Sequence, residues 1–302
     1  MLDSVWLVPL CPLVGALLNG FFGPRYSRAT IGQIAIAAVG LAFLVSLLAL
    51  IALLSRAEPH YQAVLFPWIA AGAYSAHVGF LIDGLSCTMM LVVTGVGLLI
   101  HIYSTGYMHD EADYARYFTY LNLFVGAMLI LVMADNYLLM FVGWEGVGLC
   151  SYLLIGFWYT RQSAADAGKK AFIVNRIGDF GFMLAILLLF VTFQTTDMLS
   201  VQEQLKDFAL GSGVVTAMAL LGVSAHEVDI RGIEVEGGRV RVRMTYTSMG
   251  CPCMDMIQDD VRERLLRLPG VERVELEVVW EPWSRKHISA EGWKGLRRVG
   301  VV

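Results

Sequence analysis

NYLLMFVGWEGVGLCSYLLIGFWY, residues Asn136–Tyr159, decides the fold. A helix of about 20 residues crosses a hydrocarbon core of about 30 Å, and this stretch is long and apolar enough to do so. Its tenth residue is Glu145. A charge near the middle of a spanning helix costs roughly 2.5–3.5 kcal/mol on insertion scales. Three and four residues away stand Phe141, Val142, Gly148 and Leu149, none of which can compensate a carboxylate. The acid must therefore face another helix or a water-filled path. Gly143, Gly146 and Gly148 leave little bulk around it, and small residues let a second helix approach closely. Burial disfavours the charged form and a nearby cation favours it. A carboxyl balanced between the two can load and release a proton, and Glu145 is read as a proton relay.

Composition extends that reading to most of the chain. The 302 residues are 57% hydrophobic, with a mean hydropathy of +0.63. Charge is unevenly spread: residues 1–221 hold 9 Lys/Arg and 13 Asp/Glu, whereas residues 222–302 hold 13 of each. The first part reads as membrane and the second as soluble. A net charge of -4 gives no nucleic-acid signal. Cys11, Cys87, Cys150, Cys251 and Cys253 make no disulfide framework.

Apolar runs predict spanning helices near 5–22, 30–54, 81–106, 115–134, 136–159 and 168–193. The first lacks the basic start of a signal peptide, and Pro9, Pro12 and Asn19 interrupt it, so it is kept as a helix. Orientation follows from Lys and Arg near helix ends. Arg25, Arg28, Arg116, Arg161, Lys169 and Lys170 lie on one side; Arg56 and Lys206 lie on the other. The first side is assigned to the cytoplasm and the N-terminus to the outside, by a margin that shrinks if Lys169 and Lys170 fall within the sixth helix.

That helix holds a second set of charges. Lys169, Arg176 and Asp179, spaced seven and three apart, share one stripe, while Lys170 projects about 100° away toward a neighbouring helix. Arg176 and Asp179 can pair locally. Two readings of that pair stand: a buried structural ion pair, or a part of the relay. Lys169 reads as snorkelling at the helix end.

The tail has the pattern of a small α/β module. In Ile233–Thr247 (IEVEGGRVRVRMTYT), Gly237–Gly238 turns the chain, and Val240, Val242, Met244 and Tyr246 then alternate with Arg239, Arg241, Arg243 and Thr245. Met254, Ile257, Val261, Leu265 and Leu268 keep helical spacing up to Pro269–Gly270, and Val274, Leu276, Val278 and Trp280 alternate again. Between hairpin and helix, SMGCPCMD sets Cys251 just before a helix N-terminus, where a thiolate is favoured. Cys251 and Cys253 alone are too few for structural zinc.

Four segments carry a family resemblance: LLMFVGWEGVGLCSYLLIGFWY preceded by MADN, VGFLIDGLSCTMM around Asp83, HIYSTGYMHDEADYARYFTYLNLF from His101, and AGKKAFIVNRIGDFGFMLA from Ala167. Over residues 1–221 the chain resembles the antiporter-like subunit L (chain 5) of respiratory NADH–quinone oxidoreductase, complex I. The large subunit of multisubunit sodium–proton antiporters is similar and remains a competing reading. The resemblance implies proton pumping coupled at a distance to quinone reduction, in a bacterial inner membrane, with other membrane subunits as partners. It implies the relay role for Glu145 and matches its arginine and aspartate to Arg176 and Asp179; Lys170 joins them as a relay candidate from its own place on the sixth helix. It also implies well over a dozen helices, with a broken helix carrying a central lysine. The chain leaves that pattern near Leu221, so the expected fold is a truncated all-α bundle of about six spanning helices followed by the small α/β domain.

The tail's GGRVRVRMTYTSMGCP and LPGVERVELEVVWEPWS resemble the small iron–sulfur cluster assembly factors that include a phenylacetate-degradation accessory protein. Their TxxGCP cysteine matches Cys251, which implies transient iron–sulfur binding there. No dinucleotide fingerprint or ferredoxin-type cysteine run occurs, so no resident cofactor or metal is expected in the membrane part. The chain is expected to be an enzyme only as one subunit of an assembly. Two further readings are a membrane-tethered iron–sulfur assembly module and an inert fusion of two fragments meeting at 221/222.

Overall fold

A computed structural model describes residues 2–71, 74–205, 228–236, 239–246, 262, 266 and 273–278. The backbone divides into two compact units, Met1–His226 and Glu227–Val302. The expected 221/222 seam lies outside the described residues.

The first unit runs α1 (Leu7–Phe22), α2 (Arg28–Leu54), a hairpin of β1 (Tyr61–Ala71) and β2 (Tyr74–Ile82), α3 (Gly84–Tyr107), α4 (Tyr114–Met133), α5 (Tyr137–Ile155), α6 (Gln162–Phe193) and the short α7 (Met198–Leu205). Helices α2 to α6, and α1 together with the 3-10 turns that extend it to Leu2–Arg25, are long and apolar enough to cross a membrane. Large apolar side chains point outward along them, among them Leu17, Phe21, Leu54, Leu99 and Val191. Such a surface suits lipid, where a helix satisfies its own backbone. The first unit is thus a largely helical, multi-pass membrane body.

Local chemistry sets the helix starts. Ser27 Oγ accepts from Thr30 N at 3.2 Å and begins α2. Asp83 and Ser86 form a reciprocal capping box (2.7 and 2.8 Å), so α3 begins at Gly84; the expected start at 81 fails because Leu81 and Ile82 belong to β2. Asn136 Oδ1 accepts from Leu139 N at 2.9 Å and opens α5. That helix stops at Ile155 rather than 159, since Gly156 ends it and Phe157 turns inward. Helix α6 begins six residues earlier than expected, at Gln162. Asp166 and Lys169 pair at 3.9 Å on its exposed first turns. Lys169 and Lys170 thus lie inside α6.

Residues 61–80 lie outside every expected helix, and there the structure has a hairpin that runs on to Ile82. Apolar residues on both faces and Pro67 hide its alternation, and its register slips between Val64/Phe66 and Pro67/Ile69. Its Phe80 bridges Ala134 on the link after α4, and Asn136 on that same link bridges Asp197 after α6.

Helix α4 packs against α1, α3 and α5, and its Phe118, Leu129 and Met133 are fully buried. Glycines set the closest approach. A Cβ on Gly143 would lie 2.5 Å from Leu131 N, and one on Gly146 would lie 3.0 Å from the Ala127 Cβ. The small residues near Glu145 therefore seat α5 against α4, while Gly148 faces Asn175 of α6.

In the second unit, β3 (Val228–Glu236) and β4 (Arg239–Tyr246) form an antiparallel hairpin, and β5 (Arg273–Val278) lies parallel to β4, in the order β3-β4-β5. The first strand starts earlier than the expected Ile233. Val240 opposite Val274 is buried, whereas Arg241 is exposed and reaches Glu275 at 3.2 Å, as the alternation predicts. Of the expected helix over 254–268 only Arg262 and Leu266 are described, both helical.

Candidate functional site

Glu145 stands on α5 two turns beyond its Asn136 cap, and its carboxylate receives the guanidinium of Arg176 from α6. Arg176 Nη1 also lies 3.6 Å from Asp179 Oδ2, one turn further along α6. Asp179 is buried, and Trp144 of α5 donates its indole N–H to Asp179 Oδ1 at 2.7 Å. The two helices are thus cross-linked twice by polar contacts, Glu145 to Arg176 and Trp144 to Asp179. Phe141 and Trp144 pack edge-on against Phe182 at 5.7 and 5.4 Å and close one side. Phe172 lies under the guanidinium at 4.9 Å.

Two carboxylates around one guanidinium carry one negative charge in excess. Their environments differ. Asp179 is enclosed and fixed by Trp144, while the Glu145 side chain keeps 24% of its exposure and Arg176 keeps 39%. Such a set can exchange one proton without stranding a lone charge, because the guanidinium can lean toward whichever carboxylate stays ionised. Expected neighbours are thereby brought together across 31 residues of sequence. The pairing expected within α6 is present, but Arg176 is also drawn across to Glu145. Lys170 is half-buried six residues before Arg176, about 9 Å along the axis and about 120° around it. Lys169 is exposed at the helix start. Cys251 lies outside the described residues.

Trp144 was not singled out from sequence; an indole in an apolar helix carries no signal of its partner. A second polar set was missed as well. His77 Nε2 lies 2.8 Å from Asp135 Oδ2, Gln62 Nε2 reaches Asp135 Oδ2 (3.0 Å) and Asp197 Oδ2 (2.9 Å), and Asn136 Nδ2 donates to Asp135 Oδ1 (2.8 Å). Ser200 Oγ donates to Asp197 at 2.6 Å. By residue type, His77, Asp135 and Asp197 suit a divalent cation, their ligand atoms lying within 4.8 Å of one another. The Gln62 amide nitrogen already bridges the two carboxylates, so the set is satisfied as a tie between hairpin and helix ends.

Comparison with known proteins agrees with these features. Residues 68–118 match the family model described as the NADH-ubiquinone oxidoreductase (complex I) chain 5 N-terminus, and residues 134–227 match that of the NADH:quinone oxidoreductase/Mrp antiporter transmembrane region. NADH-quinone oxidoreductase subunit L of Mycobacterium tuberculosis (strain CDC 1551 / Oshkosh) is 46% identical over 218 residues, covering 72% of this chain and 34% of that protein. The Escherichia coli K12 subunit L is 43% identical over 189 residues, covering 63% and 31%. The chain thus spans about a third of the length of these relatives. The Mrp complex from Dietzia sp. DQ12-45-1b shares the fold, with a TM-score of 0.62 and 20% identity over 74% of this chain and 23% of that one. A chain of the archaeal membrane-bound sulfane sulfur reductase also gives 0.62, at 17% identity over 74% and 44%. Residues 223–278 match an iron–sulfur cluster assembly protein model. The resemblances read from the motifs, to subunit L in the membrane part and to iron–sulfur assembly factors in the tail, are both borne out.

Proposed function

We propose that the membrane unit is a proton-handling segment of a subunit L-type component of membrane NADH–quinone oxidoreductase, with Glu145 as its proton-loading group. The observation that carries this reading is the Arg176 guanidinium shared by Glu145 and Asp179 between two spanning helices. Arg176 compensates the ionised state, Trp144 holds Asp179, and Glu145, the more accessible carboxyl, takes and returns the proton. In this reading quinone reduction takes place elsewhere in the complex, and the membrane unit serves as a translocase part coupled to it. Its partners are neighbouring membrane subunits and the lipid of a bacterial inner membrane. The distribution of Lys and Arg at the helix ends supports an outside N-terminus, with Lys169 and Lys170 inside α6 counting less toward it.

Reconstitution in liposomes under a pH gradient tests the reading. The chain takes up protons, and Glu145→Gln removes that uptake while the helices still insert; equal uptake by both would overturn it. Repeating the assay in sodium and in choline buffers separates proton translocation from sodium–proton exchange, the competing reading from the Mrp likeness.

For the tail, the match over 223–278 favours iron–sulfur cluster assembly, with Cys251 as the group that holds the cluster in transit. Anaerobic loading of the full chain with iron and sulfide tests this. The expected result is cluster absorbance that Cys251→Ser abolishes and Cys253→Ser retains.

A further inference from the structure

We infer that the interior between α1, α3 and α4 holds a second, internally hydrated proton-exchange site, centred on His101 and separate from the Glu145 cluster. Thr94, His101 and Ser104, spaced seven and three apart, form one fully buried polar stripe on α3. Thr94 is satisfied within its own helix, its Oγ1 donating to Met90 O at 2.6 Å. His101 is different, because its ring leaves the helix. Nδ1 lies 2.7 Å from Gly97 O, and Nε2 lies 2.9 Å from the Asn122 carboxamide of α4.

A carbonyl oxygen only accepts, so Nδ1 carries a hydrogen. What Nε2 carries depends on which amide atom faces it, and the two are interchangeable by a half-turn. Facing the Asn122 oxygen, Nε2 must be protonated and the ring is a cation; facing the NH2 group, the ring is neutral. One geometry therefore serves both protonation states, with Asn122 as the adaptor. The other Asn122 amide atom, Nδ2, has no protein partner, and neither has Asn19 Oδ1 on α1. Both residues are fully buried. Asn19 uses its own Nδ2 on Ile31 O at 3.2 Å. Gly15, one turn before Asn19, lets the Asn122 amide in: a Cβ there would lie 2.9 Å from Asn122 Nδ2.

Two buried amide atoms on adjoining helices, each lacking a protein partner, suit a bridging water. Among the described residues, α1, α2, α3 and α4 contain no carboxylate that could compensate a cationic ring. Between Leu7 and Phe22 α1 brings only Cys11; α2 beyond Arg28 brings no titratable group; α3 adds Cys87, Tyr103 and Tyr107; and α4 offers Tyr114, Arg116, Tyr117 and Tyr120. Hydration and amide dipoles must therefore carry the charge. One turn from His101, Ser104 Oγ meets Tyr117 Oη at 3.1 Å, extending the polar line toward the turn between α3 and α4. The ring takes its proton at Nε2 and returns it there, while Nδ1 stays on Gly97.

The test is solid-state NMR of the full chain, with histidine labelled in 15N, in phosphatidylethanolamine/phosphatidylglycerol liposomes. His101→Gln identifies the ring among the six histidines. If that variant does not insert, contact with Phe118, 6.1 Å away between ring centres, assigns the wild-type signal. The expected result is polarisation transfer from water to the His101 ring, with a change from neutral to cationic across a pH titration, both lost in Asn122→Leu. A ring without water transfer and fixed as the Nδ1–H tautomer at every pH is a core histidine, and that result overturns the proposal. Proton uptake by Glu145→Gln reports on the other site, so the two readings fail separately.

Discussion

Arg176 on α6 reaches the Glu145 carboxylate on α5 with the same nitrogen that lies 3.6 Å from Asp179, so one cation is divided between two acids on two helices. Removing it leaves both carboxylates in a partly enclosed, low-dielectric site. Arg176→Gln should lower proton uptake and destabilise the fold by on the order of 1–3 kcal/mol, below the roughly 3–5 of a fully buried pair because Arg176 and Glu145 are only partly buried. Arg176→Lys should restore part of the stability, since it keeps the charge but not the planar fork that can serve two acceptors. Thermal unfolding in detergent, followed alongside uptake in liposomes, checks both.

Trp144 separates packing from hydrogen bonding. Trp144→Phe keeps an aromatic ring against Phe182 and deletes the 2.7 Å bond to Asp179. A hydrogen bond to a charged group contributes about 1.5–3 kcal/mol, so the variant should unfold earlier by that order. Adding Asp179→Asn to it should cost less than the two single losses summed, because the indole then has no charge left to hold. A double-mutant cycle on unfolding midpoints reads this directly.

How much of this was legible in the sequence depended on how local each signal was. The six helices follow from runs of apolar residues, and the Val240/Arg241 alternation placed the β4 faces. Glu145 stood out because nothing within its own helix could compensate it. Its partner required the register of α5 against α6, which no local pattern encodes. The hairpin stayed hidden because Pro67 and two register slips break its alternation. The set of Gln62, His77, Asp135 and Asp197 draws on links and strands up to 135 residues apart, so no local pattern joins its members.

Glycines around Glu145 should differ sharply in tolerance. A Cβ on Gly143 would sit 2.5 Å from Leu131 N and 2.7 Å from its Cα, so backbone rather than a pliable side chain must move. Gly143→Ala should cost about 1–3 kcal/mol or prevent α4 and α5 from docking. At Gly148 the nearest atom is Asn175 Nδ2 at 3.6 Å, an ordinary contact. There alanine should be neutral or gain about 0.5–1 kcal/mol from helix propensity. Equal behaviour of the two variants in thermal unfolding would contradict the α4–α5 contact.

Asp135 should hold the hairpin to the helix ends. Its side chain is wholly buried and accepts from His77, Gln62 and Asn136, while its backbone N–H meets Gly79 O at 3.3 Å and its carbonyl accepts from Met198 N at 3.0 Å. Asp135→Leu leaves three donors facing an apolar side chain, each costing on the order of 1–3 kcal/mol where water cannot reach it. His77 keeps 23% side-chain exposure, so its loss is partly replaced by solvent and His77→Ala should be milder. The damage should be local, because α1 to α6 have their own apolar packing. Limited proteolysis of the full chain in liposomes should therefore cut Asp135→Leu within 55–82 first, His77→Ala more slowly and the parent chain last. A Gln62→Leu variant that releases the hairpin as readily as Asp135→Leu would instead place the main tie at the amide bridge to Asp197.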